Sequence, residues 1–289
     1  MTGLVFSTHH AAALFGRPDA GSAARLAGTA SASPPLPDSV FSIDARLNGP
    51  RHSANGGYAA GMIARHVDAD TVTVVLRRPV PLRRLLVARP DGEGGARVLS
   101  GRRVVAEARP GVLADTALPA APSFEEALMA RDAHPLAGLR HPLSDCVVCG
   151  PRRADGMHVT PGFAPGRPEL LTAPWVVDGR DSVGGAAPFP AVWAAMDCTS
   201  YPAAALRDRE LCLLGTMTAE VERRPRVGEQ LVVHSWTRAH EGRRYETSVA
   251  LTDSAGEIVA RADATWIALR HQGLHALRMR RGHGARVPY

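Results

Sequence analysis

Two stretches of this 289-residue chain repeat one another, and that repeat limits the fold more than any other feature. Written without a gap, residues 71–88 (TVTVVLRRPVPLRRLLVA) lie over residues 217–234 (MTAEVERRPRVGEQLVVH). Arg77-Arg78-Pro79 then falls on Arg223-Arg224-Pro225, and Leu85-Leu86-Val87 falls on Leu231-Val232-Val233. One tripeptide is within reach of chance, so the flanking hydrophobic pattern carries the argument. In each half an apolar stretch of small residues precedes the repeat, and β-rich segments follow it. A helix followed by antiparallel strands, used twice, predicts an α+β fold built from duplicated units.

The elements can be placed coarsely. FSIDARL (41–47) alternates like a strand, and NGGYAAGMIARHV (55–67) reads as a helix. Glycine inside a helix costs about 1 kcal/mol relative to alanine, so Gly57 and Gly61 need a packing reason; close approach of a sheet is the expected one. TVTVVLRRPVPL, LLVARP and RRVVAEA follow as strands. Around 112–145 the pattern breaks into a linker with one short helix, where Ser123 and Glu126 stand at capping-box spacing. Beyond it come a strand near 170–177, an apolar helical stretch near 190–206, and three long strands, with DSAG (253–256) as the turn between the last two. The expected boundaries are an N-terminal lead-in (1–40), a first unit (41–112), a linker (113–145), a second unit (146–270) and a basic tail (271–289).

Composition narrows the function. Apolar residues make up 45% and charged residues 21%, as in a globular protein rather than a disordered chain. No apolar run approaches the roughly 20 residues of a bilayer span, and the N-terminus lacks the basic leader of a secretory signal, so a cytoplasmic location is expected. Four cysteines without an export signal fit reduced thiols rather than a disulfide framework. The net charge of +6 comes entirely from arginine, since the sequence holds no lysine. Schiff-base lysine chemistry and a P-loop lysine are thereby excluded. The positive balance reads either as attraction for phosphorylated ligands or as a compositional bias of the whole chain, the latter being the expected reading. Scattered arginines and few aromatics speak against nucleic-acid binding.

Three segments carry a resemblance to the hotdog-fold thioesterase superfamily. His52-Ser53-Ala54-Asn55-Gly56-Gly57-Tyr58 resembles the start of the central helix in double-hotdog acyl-CoA thioesterases. Cys146-Val147-Val148-Cys149-Gly150-Pro151, with Asp155-Gly156-Met157 after it, resembles the Cys-x-x-Cys-Gly opening of phenylacetate-pathway-type hotdogs. Trp193-Ala194-Ala195-Met196-Asp197-Cys198 resembles the Leu-Asp segment in the second hotdog of acyl-CoA thioesterase II relatives. The resemblance implies a double hotdog, each unit a curved antiparallel sheet around a central helix. It implies hydrolysis of acyl thioesters of coenzyme A or of an acyl carrier protein, with no metal or redox cofactor, and allows for a homodimer.

Thioester hydrolysis needs an oxyanion stabiliser, a positioned water and a base. Amides at a helix N-terminus carry partial positive charge, so Gly56, Gly57 and Tyr58 are the expected substrate-binding and oxyanion residues. Asp197, between apolar Met196 and Cys198, is the expected base, since a desolvated carboxylate has a raised pKa. It can equally be read as a helix N-cap, with Pro202 in the first turn. Asn55 occupies the corresponding slot of the first unit and is either a ligand to substrate or water, or a cap. In thioesterase II relatives a Thr and a Gln complete the aspartate's network. Thr237 falls where that Thr would, whereas the Gln position falls at Ala264-Thr265 and the Gln is missing.

His141, Cys146, Cys149 and His158 offer four zinc ligands, but there is a single Cys-x-x-Cys and the resemblance requires no metal, so none is expected. Cys198 and Cys212 read as small core residues, and His234 and His240 as structural. The competing readings are a non-catalytic acyl-CoA or acyl-carrier binding protein, which the missing Gln favours, and a hotdog hydratase or dehydratase, whose paired Asp and His-Gly-Gly motif is not found.

Overall fold

A computed structural model describes residues 38–270, apart from Gly138, His141, Pro142 and Arg152, together with Arg280 and Arg281. Most of the lead-in and of the basic tail therefore lies outside the described residues. In chain order the first half holds β1 (Ser39–Phe41), α1 (Gly56–Ala64), β2 (Thr71–Leu76), β3 (Leu86–Pro90), β4 (Ala96–Ser100) and β5 (Arg103–Pro110). The connecting segment carries α2 (Phe124–Asp132) and the short β6 (Leu139–Arg140). The second half holds β7 (Gly162–Ala164), β8 (Arg167–Val176), α3 (Phe189–Thr199), α4 (Ala203–Arg207), β9 (Cys212–Val221), β10 (Gln230–Glu241), β11 (Arg244–Thr252) and β12 (Ile258–Ala268). β13 (Arg280–Arg281) pairs with β6.

Eleven strands form one antiparallel sheet in the order β1-β3-β4-β5-β2-β9-β12-β11-β10-β8-β7. The repeat accounts for its centre. β2 and β9 are the repeated segments, and they pair with each other as the seam between the halves. Thr73 lies opposite Thr218, and Val72 opposite Ala219. In the ungapped alignment 73 corresponds to 219 and 72 to 218, so each pairing maps onto the other when the halves are exchanged. Thr71 opposite Glu220 maps onto Val74 opposite Met217 in the same way. A seam whose register is its own image is the signature of a two-fold relation between the strands that make it. The two threonine hydroxyls hydrogen-bond across it at 2.8 Å.

The helices sit where small residues permit. Asn55 caps α1 by accepting the Tyr58 amide at 2.8 Å. α1 and α3 pack antiparallel and almost backbone to backbone. A Cβ placed on Gly61 would lie 2.7 Å from Pro190 Cα, and one on Gly57 would lie 2.7 Å from the Trp193 carbonyl oxygen. The glycines thus answer to a helix, not to the sheet expected from the sequence. Trp193, Met196, Ile63, Val74, Leu86, Met217, Leu231 and Leu251 are fully buried around this pair.

Two local readings also change. FSIDARL is not a strand: β1 ends at Phe41, and Ala45–Leu47 forms a 3-10 turn capped by Asp44. The helical stretch near 190–206 is broken after Thr199, and Pro202, which cannot continue a helix, stands at the N-cap position of α4. The Ser123–Glu126 capping box is present, with Ser123 Oγ accepting the Glu126 amide and Glu126 Oε2 accepting the Ser123 amide. At DSAG, Asp253 Oδ1 accepts the Ala255 and Glu257 amides, each at 3.0 Å, and Gly256 takes φ +82°.

Gly61→Ala tests the helix contact. In an open helix this change gains about 1 kcal/mol, whereas overpacking against fixed backbone costs about 1–3 kcal/mol. A lower denaturation midpoint in urea is expected; a higher one would mean the helices are not held in this contact.

Candidate functional site

The closest approach of α1 and α3 places one carboxylate at the N-terminus of α1. Asp197 lies in the last turn of α3, with 3% of its surface exposed. Its Oδ2 accepts two hydrogen bonds, from the Gly57 amide at 2.9 Å and from Asn55 Nδ2 at 2.8 Å. Its Oδ1 is buried without a hydrogen-bond partner among the described residues. Gly57 has to be glycine here, because a Cβ would fall against Asp197 Cβ and 3.0 Å from Ala194 Cα. The N-cap reading of Asp197 is thereby corrected: it stands near the end of its helix, and its bond to a helix start is made across to the other helix.

Burial dominates the charge of this group. Removal from water lifts the Asp197 pKa from the ordinary carboxylate value to about 7, and the neighbouring Cys146 adds to the rise. The Gly57 amide and Asn55 act in the opposite direction and overcome only part of it. The result is one oxygen fixed in place, the other free to take a proton, and a protonation equilibrium near neutrality.

Asn55 serves both roles read for it, and serves them in one rotamer. Its Oδ1 caps α1 while its Nδ2 holds Asp197. It is not, however, the counterpart of Asp197, since one residue opens a helix and the other lies near the end of one. Gly57, expected as an oxyanion amide, spends its N–H on Asp197. Gly56 is the preceding, partly exposed residue, flanked by Leu214 and Asp197. Tyr58 lines a pocket with Leu47, Val147, Met157, Trp175 and Ala191.

Thr237 makes no hydrogen bond to the Asp197 carboxylate among the described residues. It lies two residues beyond Ser235, whose hydroxyl donates to the Thr199 carbonyl, and opposite Thr247, whose hydroxyl donates to the Ser200 carbonyl at 2.7 Å. The Thr237 Oγ1 is buried without a hydrogen-bond partner among the described residues. The slot expected for Gln lies opposite Thr247 at Ala264, in a small cluster with Tyr245 and Trp266.

Ser200 is a residue that sequence reasoning passed over. Its hydroxyl donates to the Asp197 carbonyl at 2.7 Å and accepts Trp266 Nε1 at 3.1 Å, tying the end of α3 to β12. An apolar-helix-serine-proline pattern was the available signal. Cys198, expected as a small core residue, packs against the main core and has a second set of neighbours. Its sulfur lies 3.8 Å from that of Cys146, and the thiols of Cys146, Cys149 and Cys198 all fall within 4.8 Å of one another. Hydrogen bonds from Cys149 and Cys198 hold the Cys146 thiol well below its usual range, and both donors are pushed up in turn. Cys212 is fully buried, as expected of a core residue. His234 is buried, and burial pushes it down to about 4, so it stays neutral.

The Cys146–Met157 segment is fastened to the first half. The Val147 amide donates to Asn48 O at 2.8 Å, and the Arg153 guanidinium donates to Asn48 Oδ1, to Asp145 O at 3.1 Å and to Arg46 O at 2.8 Å. A groove lined by Arg78, Arg84, Arg102 and Arg103 lies by the loop after β2. That loop reaches the start of α1 through Val80 O, which accepts the Ala54 amide at 2.9 Å. No helix among the described residues is long and apolar enough to cross a membrane.

A scan against protein-family models finds no match, nor does a search of curated proteins. Solved structures do match. The tesB protein of Mycobacterium avium subspecies paratuberculosis aligns at 15% identity and TM-score 0.52, over 80% of this chain and 93% of that one. A putative thioesterase II from Thermobifida fusca aligns at 15% identity and TM-score 0.52, over 81% and 92%. A putative thioesterase from Novosphingobium aromaticivorans aligns at 13% identity and TM-score 0.52, over 80% and 95%. At such identities the likeness is one of fold: this chain shares the α+β architecture of these structures, two of which are described as putative thioesterases.

Proposed function

We propose that the chain is a double hotdog, each half one unit, that hydrolyses acyl thioesters of coenzyme A or of an acyl carrier protein. The observation that carries the reading is Asp197: a buried carboxylate with one oxygen fixed, one unpartnered, and a pKa of about 7. A base works best when its pKa lies near the working pH. In this reading Oδ1 takes a proton from a water whose oxygen attacks the thioester carbonyl. The Gly56 amide, at the positive end of α1, faces the developing oxyanion. The C–S bond then breaks, the proton passes from Asp197 to the departing thiolate, and the products are a carboxylic acid and a free thiol. The pocket beside Tyr58 and Trp175 receives the acyl group, and the arginine groove suits the phosphates of coenzyme A or an acidic carrier surface. Asn55 acts through Asp197, as a positioning residue.

Thiol release from a panel of acyl-CoAs is the direct test. Turnover of at least one thioester is expected; tight binding without turnover would favour the acyl-binding alternative. Because the base must be ionised, kcat should rise with pH through about 7 and level off above it. Asp197→Asn keeps the shape and both hydrogen bonds to the side-chain oxygen but removes the base, so kcat should fall about 10²–10⁴-fold, with the pH dependence gone. An unchanged kcat would make the residue structural.

The same group links pH to stability. Between the ordinary carboxylate pKa and about 7 the folded state holds a proton that the unfolded state has lost, so stability should fall as pH rises across that window. Denaturation of Asp197→Asn should lack this slope. For the groove, the Arg84→Ala, Arg103→Ala double variant should raise KM for acyl-CoA several-fold with kcat little altered; an unchanged KM would place the phosphates elsewhere.

A further inference from the structure

The structure brings a third thiol to the Cys-x-x-Cys pair, and the argument against a metal from the pair alone then no longer holds. We propose that Cys146, Cys149 and Cys198 form a three-thiolate site for a zinc ion, with the fourth position left to water.

Three observations carry it. The first is spacing. Zinc binds thiolate sulfur at about 2.3 Å in tetrahedral geometry, which sets neighbouring sulfurs about 3.8 Å apart. Cys146 Sγ and Cys198 Sγ are 3.8 Å apart, and the Cys149 sulfur joins them within 4.8 Å. The second is the turn. Val148 donates its backbone N–H to Cys146 Sγ at 3.4 Å, and the Cys149 amide is directed at the same sulfur. The Gly150 amide closes the turn on Cys146 O at 2.8 Å, where any side chain at 150 would strike that carbonyl. Amides aimed at a sulfur stabilise a thiolate, which is the form a metal needs. The third is the surroundings. Asn55 Nδ2 lies 3.7 Å from Cys146 Sγ and 3.9 Å from Cys198 Sγ, and directs positive charge at the sulfurs. Hydrogen bonding to the sulfurs from beyond the ligand set is what orients thiolate ligands in metal sites.

The ligands come from two places. Cys146 and Cys149 sit on the loop fastened to the first half, and Cys198 sits on α3, so a metal would join that loop to the helix bearing Asp197. No Asp197 oxygen falls within the ligand cluster, so the carboxylate lies beside the site rather than in it. His158 is likewise outside the cluster, and His141 lies outside the described residues. Binding Zn²⁺ displaces whatever protons the three sulfurs still carry and leaves the site with one net negative charge, with no oxidant or reductant consumed. Three protein ligands and one water is the arrangement of an open zinc site.

The experiment uses the full-length chain, kept reduced and stripped of metal, titrated with Co²⁺ as a spectroscopic stand-in and with Zn²⁺ against a chromophoric chelator. One equivalent of Co²⁺ should give thiolate-to-cobalt charge transfer with the intense visible bands of a tetrahedral ion, and Zn²⁺ should abolish them. Cys198→Ser should lose these bands, while Cys212→Ser, which removes a thiol outside the cluster, should keep them. A measurement on the wild type guards against misfolded variants: Zn²⁺ should protect three of the four thiols from a thiol reagent. Absence of binding at micromolar free Zn²⁺, octahedral cobalt spectra, or full binding by folded Cys198→Ser would each overturn the site. The readout is metal content, so it stands apart from thiol release, which tests the hydrolase reading.

Discussion

The contact between α1 and α3 is what the rest of the structure is arranged around. Two helices can approach this closely only where the facing residues lack side chains, and Gly57 and Gly61 provide that on α1. The gain is proximity: the Gly57 amide, one of the donors a helix start leaves unsatisfied, reaches a carboxylate on another helix at 2.9 Å. A side chain at either glycine would move Asp197 away from the helix terminus that binds it.

Burying that carboxylate opposes folding, and the surrounding contacts answer only part of the cost. Two hydrogen bonds to Oδ2 favour the ionised form, yet desolvation outweighs them and the pKa still reaches about 7. An arrangement selected for stability alone would have paired Oδ1 as well. The half-satisfied carboxylate, with Ser200 holding its backbone and Asn55 its side chain, is instead the pattern by which charge is kept available at a chosen atom.

The loop from Cys146 to Met157 connects this centre to the first half through Asn48 and Arg153. The seam between β2 and β9 connects the halves a second time, in a register that is its own image. Helix pair, seam and loop therefore fix the same relation between the halves by three different kinds of contact: close packing, strand pairing and charge-assisted hydrogen bonding.

Much was legible in the sequence where the determinants are local or periodic. The ungapped repeat around Arg-Arg-Pro marks the strands that meet at the seam; Ser123 and Glu126 mark the start of α2; Asp253 and Gly256 mark a turn. Asn55 is legible as a cap because capping acts over three residues. What the sequence could not decide are relations between residues far apart in the chain. That the glycines of α1 face a helix rather than a sheet depends on where α3 packs. That Asp197 is bound by Gly57 and Asn55, and that Cys198 completes a cluster with Cys146 and Cys149, both follow from the same packing. Spacing along the chain carries no information about such contacts, because they are set by the burial of apolar surface over the whole sheet, which any one pair of residues influences only slightly.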